Sequence, residues 1–535
     1  LHTFHFGLDS NTMTSNASRF LLASHWIAAW VCFAMLAVSP VQSQPPNILL
    51  IVSEDNGPEL GCYGDSSART PHLDRLAGEG VRFDRAFVPQ AGCSQSRASL
   101  LTGLYPHQHG QIGLATWGFR LYHEEFPTLP ALLKNAGFRT GIIGKLHVEP
   151  ATPFPFDFKK ISLSNFSRKN LADYAKSAGE FFRAGDAPFF LSINFPDAHD
   201  PWLRQVDGLP ESPQAGDQVR AMSYMGIDPP GMRDMVADYY NSLARLDACV
   251  GQLLEELQKS GKVDNTLVVY MGDHGADMLR GKRTCFDGGI RVPLLVRWPG
   301  HSKPGSRMEL VSTLDLMPTF LTAAGAAIPA GLPGRPLQPV LAAQPSEWRE
   351  QIFFEYHTHG AANNYFPQRG VRTNRYKLIE NLLPGELHPD FDLTIRKLNK
   401  DAKERDTPGG LDLAAVIQKA PEPIRSAYQE ARQPPRYLLY DLSEDPYEFR
   451  NLAGDPNHSD TLRSLQALLD QWRRDSGDPL LDASNLQRLT KEVRAVKTKA
   501  QAQDVTWGYP YFFLGIEPPK NLLSQPPKEK GEQDD

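Results

Sequence analysis

Cysteine is scarce in this chain, with five in 535 residues. Cys32 falls in an N-terminal apolar segment, which leaves Cys62, Cys93, Cys249 and Cys285 for the folded body. Four cysteines in a body of this size are not a disulfide framework, although one bridge is allowed and the sequence does not place it. A dominant charge sign is missing too. Fifty-six Lys and Arg against 62 Asp and Glu leave a net charge of −6, so nothing global points to nucleic acid, and a polyanionic ligand would need a local basic pocket. Internal repeats are absent. What the chain does have is apolar mass: 41% hydrophobic residues over this length suffice for a large core and two domains.

The amino end reads as a targeting segment. Met13 is a candidate start, Arg19 follows, and an apolar run covers 20–38, ending near Val41-Gln42-Ser43. That order of charge, apolar stretch and small residues predicts a signal peptide over 1–43 with cleavage near Ser43. The mature chain would then be secreted or periplasmic, with no membrane attachment. An uncleaved anchor is the alternative, against which Ser24 and His25 count.

Four apolar runs, 47–52, 140–144, 189–195 and 266–271, have the continuous character of strands buried on both faces. A further strand is expected over 81–88, and helices over 70–80, 129–136 and 233–260. Strands alternating with helices predict an α/β fold with a mostly parallel sheet flanked by helices. Each of the four runs ends in ionisable residues: Glu54 and Asp55, Lys145 and His147, Asp197 and His199, Asp273 and His274. Ligands in such sheets bind beyond the carboxyl ends of the strands, so these clusters should converge. The α/β domain is expected over 44–347. A smaller C-terminal α+β subdomain with an antiparallel sheet should follow over 348–480, built on strands at 352–356, 376–379 and 437–440 and a helix at 461–473. The extension 481–535 should end in a disordered tail from about Ser524.

One stretch stands apart: Cys93-Ser-Gln-Ser-Arg-Ala-Ser-Leu-Leu-Thr-Gly103. A helix starting at Cys93 would put Arg97 on the same face one turn later and favour negative charge at its amino end. The stretch resembles the signature Cys/Ser-x-Pro-Ser-Arg-x-x-x-Leu-x-Gly of type I sulfatases, the formylglycine-dependent members of the alkaline-phosphatase-like superfamily. Cys93, Ser96, Arg97, Leu101 and Gly103 fit it, and Gln95 stands where the family usually has Pro. The resemblance implies that Cys93 is oxidised to formylglycine by a formylglycine-generating enzyme and that one calcium ion is bound. Its metal ligands would be Glu54, Asp55, Asp273, His274 and the modified Cys93. Glu54 and His274 depart from the commoner Asp and Asn. For His274, a hydrogen bond to substrate or to a neighbouring carboxylate stands beside the ligand role.

The same resemblance gives Arg97, Lys145, His147, His199 and Lys282 roles around a sulfuryl group. Lys145 and His147 would hold the nucleophile, His199 would act as general acid, and Lys282 would bind sulfate oxygens. Within the family the similarity is closest to the sulfamidases, carried by 140–148, 153–158, 380–383 and 390–392. His357, His359 and Arg369 then become candidates for binding a uronate or second sulfate. The expected substrate is a sulfated saccharide, N-sulfoglucosamine of heparan type, and the resemblance leaves room for a homodimer. Three alternatives stay open: an O-sulfatase acting on a glycan or aryl sulfate, a phosphonate or phosphodiester hydrolase of the same superfamily, and a silent glycan-binding relative in which Gln95 blocks maturation.

Overall fold

The computed structural model describes residues 45–407 and 410–517. The expected signal peptide and the tail beyond 517 lie outside the described residues. Among the described residues, no helix is long and apolar enough to cross a membrane. The described residues from Pro46 onward form one compact unit. Cys62, Cys93, Cys249 and Cys285 are all free thiols.

β1 (Asn47–Ser53) is buried at every position. Its alternate side chains divide between two cores: Ile48, Leu50 and Val52 enter one, Leu49 and Ile51 the other. A strand covered on both faces has no solvent side, which is why its sequence reads as an unbroken apolar run. β2 (Val81–Phe83), β3 (Arg139–Ile143), β4 (Phe158–Lys160), β5 (Phe189–Asn194), β6 (Thr266–Gly272), β7 (Leu294–Arg297) and β8 (Gly305–Arg307) complete an eight-stranded sheet. Its spatial order is β8-β2-β7-β6-β1-β5-β3-β4. β7 runs antiparallel to both neighbours, and the other pairings are parallel.

Helices cover both faces. One carries α1 (Pro71–Glu79), α4 (Ala172–Arg183) and the long α5 (Arg233–Lys259), packed through Leu73, Phe181, Leu243 and Leu253. The other carries α2 (Cys93–Thr102), α3 (Leu129–Asn135) and α6 (Leu316–Ala323), packed through Ala98, Leu129 and Phe320. Each of these Leu and Phe side chains taken out of water contributes about 1.5–3 kcal/mol.

The strand expected over 81–88 is corrected. It stops at Phe83, where the Asp84 amide donates to Arg307 O at 2.9 Å and the chain turns. Ala86–Phe87 instead joins a separate three-stranded ribbon with Arg291–Val292 and Val311–Ser312.

The C-terminal sheet has four antiparallel strands in sequential order: β9 (Gln351–Tyr356), β10 (Gln368–Thr373), β11 (Tyr376–Asn381) and β12 (Tyr437–Asp441). Phe354, Tyr356 and Ile379 join the first core of the main sheet. Val371, Leu378 and Leu439 pack instead against Leu465, Leu469 and Trp472 of α8 (Ser459–Asp475). Between Glu386 and Arg436 the described residues carry the helices Pro389–Glu404 (α7), Leu413–Gln418 and Ile424–Arg432. In the C-terminal extension, α9 (Ala483–Arg494), Trp507 and Tyr509 cover Ile112, Phe119 and Tyr365.

Candidate active site

The carboxyl ends of four strands lie side by side because their register is continuous. Val52 pairs with Asn194 and with Met271, and Ile143 pairs with Ile193. Beyond the last ladder residues, the Glu54 amide donates to Asp197 O at 3.0 Å and the Asp273 amide to Ser53 O at 2.9 Å. The loops after β1, β5 and β6 are thereby locked together. Asp55 turns through a left-handed conformation at φ 50°, which Asp tolerates better than most residues. Its amide donates to Asp273 Oδ1 at 2.9 Å. His147, after β3, takes the same region at φ 59°. A strained bulky residue at a strand end is the kind of outlier that marks function.

Cys93 is the first residue of α2, preceded by extended Gly92. Its thiol is 1% exposed, and Sγ lies 3.2 Å from His274 Nε2. Burial alone would push this thiol up. The nearby charges of Lys282, Lys145 and His274 and a hydrogen bond from His147 outweigh it and hold the thiol well below its usual range. Position 93 thus sits in a field built to hold negative charge.

Three cations and three carboxylates surround it, all buried. Lys145 Nζ donates to Glu54 Oε2. Lys282 Nζ donates to both Asp55 oxygens at 3.0 and 2.9 Å. Arg97 donates to Asp273 Oδ2 through Nε at 3.2 Å and through a terminal nitrogen at 3.1 Å. Removal from water is the largest influence on Lys282 and disfavours its charge, but Asp55 and the Cys93 sulfur raise it above a free lysine. Burial likewise raises Glu54, opposed by Lys145 and Arg97.

The histidines divide. Burial and the neighbouring Lys145 lower His147 to about 4 and keep it neutral. Burial also opposes charge on His199, but Asp55 and the hydrogen bond to Cys93 raise it. His199 Nδ1 donates to Asp200 O, and its ring stacks on Phe166 with centroids 4.3 Å apart. His274 is raised to about 9 because Asp273, Cys93 and Asp55 outweigh its burial. Its Nδ1 donates to Gly275 O at 3.0 Å, which leaves Nε2 facing Cys93.

All the residues expected at the four strand ends meet here except Asp197. That carboxylate is taken by Arg168, at 2.9 Å, and by two nitrogens of Arg245, each at 2.8 Å. Two residues went unforeseen. Asn194, the last residue of β5, accepts from Arg97 at 2.5 Å and so orients the guanidinium. Phe166 lies under His199 and 5.3 Å from Lys145 Nζ.

Comparison with known proteins decides the lineage. Residues 46–326 match the family described as Sulfatase, and residues 272–406 match the one described as N-sulphoglucosamine sulphohydrolase, C-terminal. Human N-sulphoglucosamine sulphohydrolase is 33% identical over 489 residues, covering 84% of this chain and 94% of that protein. The chain belongs to the sulfatase family. Human arylsulfatase A is 31% identical over 485 residues, covering 81% of this chain and 89% of its own. A solved structure, in complex with its substrate D-glucosamine-2-N,6-O-disulfate, superposes with a TM-score of 0.57 at 21% identity, covering 81% of this chain and 99% of that chain. This sulfatase is accordingly a hydrolase of sulfuric esters or sulfamates on an alkaline-phosphatase-like fold.

Sulfatases generally carry formylglycine and a divalent metal. The donor set here fits a cation: ligand atoms of Asp55, Cys93 and His274 lie within 4.8 Å of one another, as do those of Glu54, Cys93 and His199. His274 Nε2 is also 3.4 Å from Asp55 Oδ1 and 3.6 Å from Asp273 Oδ1. With Nδ1 already bonded to a backbone carbonyl, that nitrogen is oriented as a metal-ligating histidine usually is.

Where the sulfatase signature has Pro, Gln95 is wholly buried and donates to Thr358 O at 2.7 Å and Ile112 O at 3.3 Å. Of the three candidate sugar-binding residues, His359 borders the site, with Lys282, Cys93 and His274 as nearby charges. Its Nδ1 is buried without a partner. His357 and Arg369 are placed elsewhere. His357 lies 3.4 Å from Glu355, and Arg369 grips Asp478 through bonds of 2.9 and 2.8 Å.

Proposed function

We propose that this sulfatase removes the N-linked sulfate from N-sulfoglucosamine at the non-reducing end of heparan-type saccharides. The observation that carries the sulfate chemistry is the convergence of Arg97, Lys145 and Lys282 with two oppositely tuned histidines on Cys93. Support for the N-sulfated sugar comes from the C-terminal match over residues 272–406 and the 33% identity to the human enzyme of that specificity.

Formylglycine made from Cys93 would supply a hydrated aldehyde, with one hydroxyl to attack sulfur and a second to release sulfate. Calcium, held by Glu54, Asp55, Asp273 and His274, would supply positive charge beside the sulfuryl oxygens. The rest falls to the chain's own side chains. Arg97, Lys145 and Lys282 neutralise the charge that builds on the oxygens in the transition state. His199 protonates the departing amine nitrogen, which without that proton would be a very poor leaving group. His147, neutral and facing position 93, accepts the proton released when sulfate is expelled. Groups whose surroundings push their pKa values apart divide naturally into acid and base.

The segment 1–43 motivates export to a secreted or periplasmic compartment, and a formylglycine-generating enzyme is the partner that maturation requires.

The test is a comparison of sulfate release by protein shown by peptide mass to carry formylglycine. N-sulfoglucosamine, glucosamine-6-O-sulfate and an aryl sulfate are the substrates. Preference for the first by kcat/KM upholds the reading, whereas preference for either ester replaces it with an O-sulfatase.

A further inference from the structure

Phe166 lies on the loop 161–171, which leaves the edge strand β4 and leads into α4. The loop is held in an unusual path. Ile161, Asn165, Arg168 and Asn170 all take left-handed φ, at 52°, 49°, 52° and 55°. Asn tolerates that region, but a branched Ile and a long Arg stay there only when their surroundings hold them. Asn165 closes the turn from within, accepting from the Lys169 amide and donating to the Lys169 carbonyl, both at 3.0 Å.

The main fastening is Arg168, which is fully buried. Its Nε donates to Asp197 Oδ1 at 2.9 Å, and Arg245 of α5 grips the same carboxylate. Its terminal nitrogens donate to the carbonyls of Phe166 and His199. One guanidinium thus ties together the backbones of the two residues whose rings stack, 4.3 Å apart and 21° from parallel. The Phe166 ring is 37% exposed, so filling the core does not account for it. Its centroid lies 5.3 Å from Lys145 Nζ, an attractive placement for a cation over an aromatic face. His199 is therefore limited at three points: its carbonyl by Arg168, its Nδ1 by Asp200 O, and its ring face by Phe166. Nε2 is the nitrogen left to meet a substrate.

We propose that Phe166 is a positioning residue that aims Nε2 of His199 at the departing atom of the substrate, on a loop that Arg168 fastens to the backbone of His199 itself. The inference rests on the general-acid role given to His199 in the proposed function. In that step the electron pair of the breaking bond to sulfur goes to the departing nitrogen. The Nε2 proton goes to the same atom, and the sulfuryl group passes to the attacking oxygen. A proton donor helps only when it lies within hydrogen-bond reach of the atom it serves. An imidazole free to turn about its side-chain bonds would spend less time there, and the stack removes that freedom.

The leaving group supplies a readout that a merely structural role would not move. Nitrophenolate departs as a stable anion with little need of a proton, whereas a sugar amine or alkoxide needs one. Loss of a residue that aims the acid is felt on the sugar and hardly on the nitrophenyl ester. Loss of a residue that only supports the fold is felt equally on both.

The experiment uses the full chain, shown by peptide mass to carry formylglycine. Its substrates are 4-nitrophenyl sulfate and whichever of N-sulfoglucosamine and glucosamine-6-O-sulfate the parent cleaves faster. Phe166→Leu should lower kcat on the sugar by about 10- to 100-fold, part of the roughly 10²–10⁴ that a positioned acid supplies, and on the aryl ester by less than about threefold. Phe166→Tyr, which keeps the ring, should restore the sugar rate. Equal losses on the two substrates, no loss on the sugar, or a Tyr variant that behaves like Leu overturns the proposal. A second measurement needs no turnover. In protein labelled at histidine ¹³Cε1, the His199 signal, identified by its absence in His199→Asn, should lie upfield in the ring current of Phe166 and move downfield in Phe166→Leu. A signal that does not move overturns the proposal by itself. A parent that releases no sulfate overturns the sulfate reading instead, and the His199 signal then decides whether Phe166 holds the ring.

Discussion

Gln95 Nε2 and the carbonyl of Thr358 meet at 2.7 Å inside the protein, tying the helix that begins with Cys93 to the loop that carries His357 and His359. A proline at position 95 cannot make that bond. The residue is the third of α2, where a backbone amide has no partner within the helix, so proline itself would fit there. The departure from the family signature therefore has a structural use.

Replacing Gln95 with Ala tests that use. The Thr358 carbonyl would keep only the longer bond from Gln90, at 3.3 Å, and Ile112 O would lose one of its two amide donors. The expected loss is about 1–3 kcal/mol in denaturant unfolding. Gln95→Pro should lose a similar amount while raising the fraction of Cys93 converted, read from the mass of peptide 86–97. A proline variant as stable as the parent would show that the tie carries no weight.

Much of the architecture was legible because burial on both faces leaves a strong local mark. Residues 48–52 and 267–271 are apolar without interruption, and each run ends abruptly in the acids that make the site. β10 left no such mark. Its sequence Gln-Arg-Gly-Val-Arg-Thr looks like a surface loop, since Arg369 and Arg372 are buried only because distant Asp478 and Asp287 receive them. Asp197 misled for the mirror-image reason, its charge being cancelled by Arg168 and Arg245 far along the chain. Asn194 and Phe166 act on Arg97, Lys145 and His199 across the fold, and no periodicity records a contact of that kind.

Lys282 links position 93 to the carboxylate cluster, and its loss should be felt in turnover more than in binding. Lys282→Met keeps the length of the stem but removes the ammonium that meets Asp55 at 3.0 and 2.9 Å. With sulfate release as the readout, kcat should fall roughly 10²–10³-fold, the size of effect expected when one donor to developing charge is removed. An unchanged kcat with a raised KM would move Lys282 to ground-state binding.

Arg369 should behave as a structural residue. Its guanidinium is fully buried against Asp478, with Glu355 3.7 Å away. Arg369→Met leaves Asp478 with Arg473, at 2.7 Å, as its remaining cationic partner beside the Leu480 amide at 3.0 Å. Breaking a buried pair from one side costs about 3–5 kcal/mol, and that remaining partner should hold the loss to the lower end. Thermal unfolding should show the drop, while KM for N-sulfoglucosamine in the folded protein stays as it was. A raised KM at unchanged stability would restore the sugar-binding role.

Glu492 gives the C-terminal layer a pH dependence of its own. Burial raises its carboxyl to about 7, opposed by hydrogen bonds from the Gly508 and Tyr509 amides. The Gly508 amide donates to Oε1 and holds 507–509 against α9. The folded state therefore binds this proton more tightly than the unfolded chain, whose carboxyl titrates near 4.5. Stability from the group is complete below about pH 4.5 and is lost as pH rises through 7, by a few kcal/mol at most. Hydrogen exchange at 483–513 should accelerate between pH 5 and 8 beyond the intrinsic base catalysis of exchange. Glu492→Gln, which cannot ionise, should remove that excess and leave the layer equally protected at both ends of the range. An excess that persists in the variant would place the titrating group elsewhere.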